Sequence, residues 1–189
     1  MKSVLRAGEP RRRRSGGYGL GMPALTQLAW GLIIVVVDFR LDDMDVIPDP
    51  VGWVIAFVAL TSLARHHHAF NWAAAACLPA GAISVPEWFG ATGDLVTLVT
   101  TAAETVIVFA TCTGLMAILP AVRRTAQWIR WWDLSLTLLV VTALLPERHL
   151  DEVRVLMVLA GIATLAVFVM FLLMLFRAGR APAPAIAAD

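Results

Sequence analysis

Charge is scarce in this sequence of 189 residues. Charged side chains make up 15% of the chain and apolar side chains 59%, whereas a soluble domain is typically about 25% charged and about 45–50% apolar. This composition excludes an ordinary soluble enzyme and a disordered protein, and it leaves too little basic surface for nucleic-acid binding. Cysteine is also scarce. The two present, Cys77 and Cys112, exclude a disulfide scaffold and a cysteine-rich zinc module.

The chain contains instead a series of apolar stretches. They run over about 20–37, 51–64, 72–85, 95–119, 131–145 and 155–176. A helix needs about 20 apolar residues to cross the ~30 Å hydrocarbon core of a bilayer, so the fourth and sixth stretches are long enough and the second and third are short. The sequence predicts an all-α, polytopic integral membrane bundle of about six transmembrane helices. The alternative is four spans with a non-spanning hairpin at 51–85.

The charged residues divide between the two sides that six spans create. With the N terminus inside, 12 of the 15 basic residues fall in cytoplasmic segments and 10 of the 14 acidic residues in outer loops, which satisfies the positive-inside rule. We therefore expect a basic cytoplasmic tail at 1–19, a membrane domain at 20–177 and a short cytoplasmic tail at 178–189. Because arginine supplies all but one of the basic residues, we expect a GC-rich bacterial source and the bacterial plasma membrane.

The turn after the first stretch carries the most distinctive pattern. It reads D-x-R and then D-x-x-P-D-x-x-G-W, at Asp38, Arg40, Asp45, Pro48, Asp49, Gly52 and Trp53. Asp49 is placed to cap the second helix, and Gly52 permits close approach of a neighbouring helix. The pattern resembles a group of small multi-pass bacterial membrane proteins of unknown function, which implies a membrane location and no particular activity.

Two clusters of potential metal ligands have spacings that favour a structural role over metal binding. The acids of this turn do not have the spacing of an EF-hand loop. The adjacent histidines His66–His68 point about 100° apart on a helix, given 3.6 residues per turn, so they cannot all bind one metal ion. We expect no metal and no cofactor.

Glu104 lies within the fourth stretch, about 4–5 Å from its midpoint at a rise of 1.5 Å per residue. An ionisable residue at this depth is costly and is a functional hypothesis by default. Thr97, Thr100 and Thr111 form a polar stripe with it, and Gln27 is a candidate partner. The stripe is interpreted either as structural hydrogen bonding between helices or as a transport or proton path.

Several patterns predict packing. Tryptophans mark the inner interface at Trp72, Trp128, Trp131 and Trp132 and the outer interface at Trp53 and Trp88.

Small residues predict helix contacts at Ala73, Cys77, Gly81, Ala110 and Gly114. Residues 121–132 predict a short amphipathic helix lying in the inner interface.

These features favour a small, non-enzymatic membrane protein with an assembly or interaction role. The chain contains no G-x-S-x-G or H-E-x-x-H motif, which would indicate a hydrolase or a metalloprotease. The expected partners are the lipid bilayer and either another protein or a second copy of the chain, with no nucleic acid. The alternative function is a proton-coupled or small-solute transporter that uses Glu104.

Overall fold

The computed structural model describes residues 22–36, 40–41, 44–45, 49–88, 93–143 and 150–180. Within them it has the helices α1 (Met22–Val36), α2 (Asp49–Leu63), α3 (Ala69–Trp88), α4 (Asp94–Ile118), α5 (Arg123–Ala143) and α6 (Leu150–Arg180). The tail at 1–19, together with Asp38 and Pro48 of the motif, lies outside the described residues. The predicted helical fold is confirmed over the described part of the chain.

The turn between α1 and α2 contains two short strands, β1 (Arg40–Leu41) and β2 (Met44–Asp45). They pair antiparallel, and the register sets Arg40 opposite Asp45. Helix α2 then begins at Asp49, where a negative charge complements the positive end of the helix dipole.

Three helices are long and apolar enough to cross a membrane. The candidate spans are Ala69–Pro86 in α3, Leu95–Ile118 in α4 and Met157–Arg180 in α6. Helices α1 and α2 are apolar but shorter, with 15 residues each. The third stretch, short when only its apolar residues are counted, reaches 20 residues in α3 because the helix includes the interfacial residue Asn71 and continues through Pro79 and Pro86. These spans indicate a membrane protein.

The helices form a closed ring. Each one packs against its neighbours along the chain, and α6 packs against α1. At that closure the rings of Trp30 and Phe176 meet edge to face, with centroids 5.9 Å apart. Because short connections make consecutive helices antiparallel, α1, α3 and α5 run one way and α2, α4 and α6 run the other.

Helices α1 and α2 cross at a pair of glycines. A Cβ atom on Gly52 would lie 2.6 Å from the carbonyl oxygen of Gly31, and one on Gly31 would lie 2.9 Å from the carbonyl oxygen of Gly52. No side chain fits between these two backbones. The close approach predicted at Gly52 is therefore present, and Gly31 is its partner.

Other small residues also lie at helix contacts. A Cβ on Gly81 of α3 would lie 3.2 Å from Trp53 of α2, and one on Gly114 of α4 would lie 2.6 Å from the ring of Phe70 on α3. Both glycines were predicted contact points, and each accommodates an aromatic side chain from the preceding helix. The aromatic partners could not be read from the spacing, because they lie on other helices.

The tryptophans separate into two groups. Trp72, Trp128, Trp131 and Trp132 are exposed on the outside of the ring, as side chains of an interfacial belt must be. Trp53 was placed in the same belt, and this placement of its side chain is wrong, because Trp53 is only 3% exposed. The motif residue therefore faces the interior of the ring.

Helix α5 differs from its prediction. The amphipathic segment 121–132 was expected to be a separate interfacial helix. In the structure a 3-10 turn at Pro120–Val122 leads directly into one helix, Arg123–Ala143. The reason is local, since no Gly or Pro interrupts this segment to end the helix. Helix α6 likewise continues to Arg180, three residues into the predicted C-terminal tail.

Candidate functional site

A cavity of about 370 Å³ lies among five of the six helices. Residues of α1, α2, α4, α5 and α6 line it, and most of the lining side chains are aliphatic or aromatic. Its volume is in the lower part of the range of small-molecule pockets, about 300–1,000 Å³. The helix bundle therefore has room for a small ligand in a partly open cavity between these helices.

Two carboxyl groups line this cavity, Glu104 from α4 and Asp133 from α5. Asp133 is the eleventh of the 21 residues of α5, and Glu104 is about 3–4 Å from the middle of α4 at 1.5 Å per residue. Antiparallel packing of α4 on α5 thus brings the two acids to similar depths. Their charges are close enough to interact electrostatically.

Threonine hydroxyl groups join α4 to α5 next to the acids. The Oγ1 atoms of Thr105 and Thr137 are 2.6 Å apart, and Thr105 Oγ1 donates a hydrogen bond to the carbonyl oxygen of Thr101 at 2.9 Å. Since a hydroxyl has one proton to donate, Thr137 is the donor in the bond between the two threonines. On α6, Thr164 donates to the carbonyl of Ala160 at 2.9 Å. The hydroxyl protons of these three lining threonines are therefore already used within the protein.

Asp133 has an unusual environment for a carboxylate. Its Oδ2 atom is buried and has no hydrogen-bond partner among the described residues. A buried oxygen of this kind is costly unless a proton, a water molecule or a ligand satisfies it. Asp133 lines the cavity, but its Oδ2 atom is covered, so a water molecule or a ligand reaches this oxygen only if neighbouring side chains move.

The nearest arginine does not line the cavity. Arg130 lies one turn before Asp133 on α5, but its guanidinium group is 4.7 Å from the ring centroid of Phe109, and its Nη1 donates to Thr113 Oγ1 at 3.4 Å. Cys112 of α4 is fully buried. Among the described residues that line the cavity, Glu104 and Asp133 are the titratable ones.

The predicted polar stripe is brought to the cavity only in part. Glu104 lines it, whereas Thr97, Thr100, Thr111 and Gln27 do not. Thr97 and Thr111 lie seven residues from Glu104, about 10 Å along the helix axis, and Thr97 Oγ1 bonds to the carbonyl oxygen of Gly93 at 3.3 Å. The hydroxyl oxygens of Thr100 and Thr111 are buried without a hydrogen-bond partner among the described residues.

Asp133 is the residue that the sequence analysis missed. It lies in the fifth apolar stretch, 131–145, directly after the segment 121–132 expected at the interface, and the sequence analysis assigned it no role. The available signal was an acidic residue one turn after Arg130 and directly before the apolar run 134–143. Trp53 is a second unexpected contributor, because the last residue of the D-x-x-P-D-x-x-G-W motif lines the same cavity.

No family model, no curated protein and no solved structure matches this chain. Among the described residues, no group of three or more His, Cys, Asp or Glu side chains is arranged to hold a metal ion. His67 has a local role instead, since its Nδ1 accepts a hydrogen bond from the backbone N–H of Ala69 at 3.1 Å, where α3 begins. Function must be inferred from the side chains that the fold brings together around the cavity.

Proposed function

We propose that this protein is a proton-coupled transporter of a small solute, and that Glu104 and Asp133 form its binding site. The observation that carries the proposal is that both carboxyl groups, from adjacent helices, line one cavity among largely apolar side chains. Ionisable residues inside a membrane domain typically mark ion and substrate pathways.

The carboxyl pair supplies a direct mechanism for coupling. An ionised carboxylate in an apolar surrounding is costly unless a proton or a positive charge accompanies it. Proton and solute therefore compete for the same negative charge, so the binding of one favours the release of the other. Coupled exchange follows if the cavity is accessible from each side of the membrane in turn.

The proposal includes a topology of six spans, with both termini in the cytoplasm of a bacterium. Support comes from an even number of antiparallel helices and from the arginines at one end of the ring, which are Arg65, Arg123, Arg124, Arg177 and Arg180. Helices α1 and α2 span about 22 Å at 1.5 Å per residue, and local thinning of the bilayer accommodates short spans at modest cost. The resemblance of the motif to multi-pass bacterial proteins agrees with this topology.

An assembly or interaction role, which composition favours, is supported less well. The outward-facing apolar side chains of the described helices, such as Leu138 and Ile162, are what contact with lipid requires. They do not distinguish a protein partner from the bilayer. An assembly or interaction role does not explain why two carboxyl groups line one cavity.

The topology predicts that Arg123 and Asp43 lie on opposite sides of the membrane. Cysteine introduced by Arg123→Cys should react with a membrane-impermeant maleimide only from the cytoplasmic side, and cysteine from Asp43→Cys only from the outer side. Wild-type protein controls for background labelling, which should be low because its two cysteines, Cys77 and Cys112, are buried. Labelling of both positions from the same side contradicts the six-span topology.

Transport itself is tested with purified protein in liposomes that contain a pH-sensitive dye. Adding a transported solute under a pH gradient should change the internal pH faster than in protein-free liposomes. A panel of small cations, neutral solutes and anions identifies the class. If no member of the panel moves protons, the transporter proposal is wrong.

A further inference from the structure

We infer that the structure is the state of the transporter that is closed towards the cytoplasm, and that Thr111 is a gating residue whose hydroxyl group meets water when this closure opens. Because it concerns access to the same cavity from one side of the membrane, the inference rests on the proposed function. Three observations carry it: the position of the cavity along the ring, the packing beside the cavity and one buried hydroxyl group without a partner.

The cavity lies off centre along the ring. One end of the ring, here called the arginine end, carries Arg65, Arg123, Arg124, Arg177 and Arg180. The lining residues come from the C-terminal part of α1, the N-terminal part of α2 and the middle and C-terminal part of α5. Since consecutive helices are antiparallel, all these parts lie away from the arginine end. The cavity is therefore nearer to the opposite end of the ring.

A layer of apolar side chains separates the cavity from the arginine end. Every helix contributes a large, fully buried side chain to this layer, here called the seal: Leu28, Leu60, Phe70, Leu115, Ile129 and Leu175. Of the fully buried large side chains in the described helices, none lies beyond the cavity towards the opposite end. Because protein interiors have few voids larger than a water molecule, the seal excludes water from the arginine end.

Thr111 connects the cavity to the seal along α4. It lies seven residues after Glu104 and four residues after Ile107, which both line the cavity, and four residues before Leu115 of the seal. Residues at these spacings share one face of a helix. Thr111 is therefore on the cavity-facing side of α4, one turn from the seal, or about 6 Å at 1.5 Å per residue.

The hydroxyl group of Thr111 differs from its neighbours. The side chain is fully buried, and its Oγ1 atom has no hydrogen-bond partner among the described residues. Thr105 and Thr113 of the same helix each donate to the carbonyl oxygen four residues earlier, at 2.9 and 2.7 Å. A buried hydroxyl group without a partner is costly, and water removes this cost. The unpaired hydroxyl group thus destabilises the closed state relative to one in which water reaches the seal, so it favours opening.

Access to the cavity is measured by labelling a cysteine placed in its wall. Gly161 lines the cavity, and a Cβ atom added to it meets nothing within 4 Å, so Gly161→Cys fits there. The probe is a small, charged, membrane-impermeant methanethiosulfonate reagent, applied to membrane vesicles of known orientation. A minor conformer is typically populated to about 0.1–10%, so labelling should be at least about tenfold slower from the cytoplasmic side than from the outer side. The protein without this substitution gives the background.

Thr111→Val, added to Gly161→Cys, tests the hydroxyl group. Valine has a similar shape and no polar atom, so the closed state becomes more stable. We expect a higher unfolding temperature and labelling from the cytoplasmic side that is slower by about fivefold or more, with no slowing from the outer side. Thr111→Ser keeps the hydroxyl group and should not slow labelling. The matched control is Thr61→Val, next to Leu60 of the seal. It should change neither rate, because the exposed hydroxyl group of Thr61 already donates to the carbonyl oxygen of Val58 at 2.9 Å.

The outcomes distinguish this inference from the proposed function. Labelling that is equal from both sides, or faster from the cytoplasmic side, overturns the closed state; if proton-coupled flux is nevertheless present in liposomes, the transporter stands. A higher unfolding temperature for Thr111→Val with unchanged labelling assigns the hydroxyl group a structural effect alone and overturns its role in opening. Labelling from the outer side alone, without flux, supports the seal but rejects both its opening and transport.

Discussion

Neutralising either carboxyl group in the cavity is expected to reduce pH-driven flux in proteoliposomes to near the protein-free background. Glu104→Gln and Asp133→Asn preserve the size of each side chain and remove its charge, so the cavity keeps its shape. Loss of one charge-assisted contact corresponds to about 1.5–3 kcal/mol, or roughly a tenfold to hundredfold loss of affinity. The measurement is the initial rate of solute-dependent internal pH change.

The controls separate chemistry from folding. Ser135→Ala lies on the same helix as Asp133, and its exposed hydroxyl donates only to the carbonyl of Trp131, at 2.8 Å, so flux should be unchanged. Glu104→Asp retains the charge and should restore part of the flux that Glu104→Gln loses. Full flux in the variant with both acids neutralised contradicts the assignment.

The same pair sets the expected pH dependence. Only an ionised carboxylate attracts a cation, so the affinity of wild-type protein for a cationic solute should rise with pH. The double variant should lose this dependence, since the lining residues of the described helices then carry no titratable group. A pH dependence that survives in the double variant would assign the titration to a group outside the described cavity lining.

Gly52→Ala is expected to destabilise the protein by about 1–3 kcal/mol, the cost of overpacking a tight contact. The new Cβ would lie 2.6 Å from the carbonyl oxygen of Gly31 and 2.6 Å from a methyl carbon of Val35. The first of these is a backbone atom, so no change of side-chain conformation relieves the clash and α1 must separate from α2. Thermal unfolding in detergent micelles measures the effect, and Gly52→Val should destabilise the protein more than Gly52→Ala does.

Gly161→Ala is the matched control for this prediction. It is also a helical glycine, but its Cβ meets nothing within 4 Å, and Ala is about 0.8–1 kcal/mol better than Gly in a helix interior. Its unfolding temperature should equal or exceed that of the wild type. If Gly52→Ala and Gly161→Ala behave alike, the tight crossing of α1 and α2 does not exist in the folded protein.

A double variant tests the partnership of the two glycines. Gly31→Ala should also be destabilising, because its Cβ would meet the backbone of Ala56 and of Gly52 at 2.9 Å. Once one alanine has separated the helices, the second costs less. Combining both should therefore cost less than the sum of the two single variants, as residues in direct contact are generally non-additive.

The sequence predicted the features that depend on residues close to one another along the chain. Apolar runs of sufficient length predict helices in a membrane, and they located the segments that became α1 to α4 and α6. Glu104 was identified because a carboxyl group in an apolar run is costly wherever the helix packs. Contact points at Gly52, Gly81 and Gly114 were predicted because a small side chain allows close approach whatever the partner.

The tertiary structure decided which groups meet. Asp133 and Glu104 line one cavity because α4 and α5 pack against each other, and Trp53 packs closely against Gly81 of α3. Closure of α6 on α1 brings residues from opposite ends of the chain to one cavity. Hydropathy and helix period are properties of single segments, whereas the rotation of each helix about its axis depends on the shapes of the helices beside it.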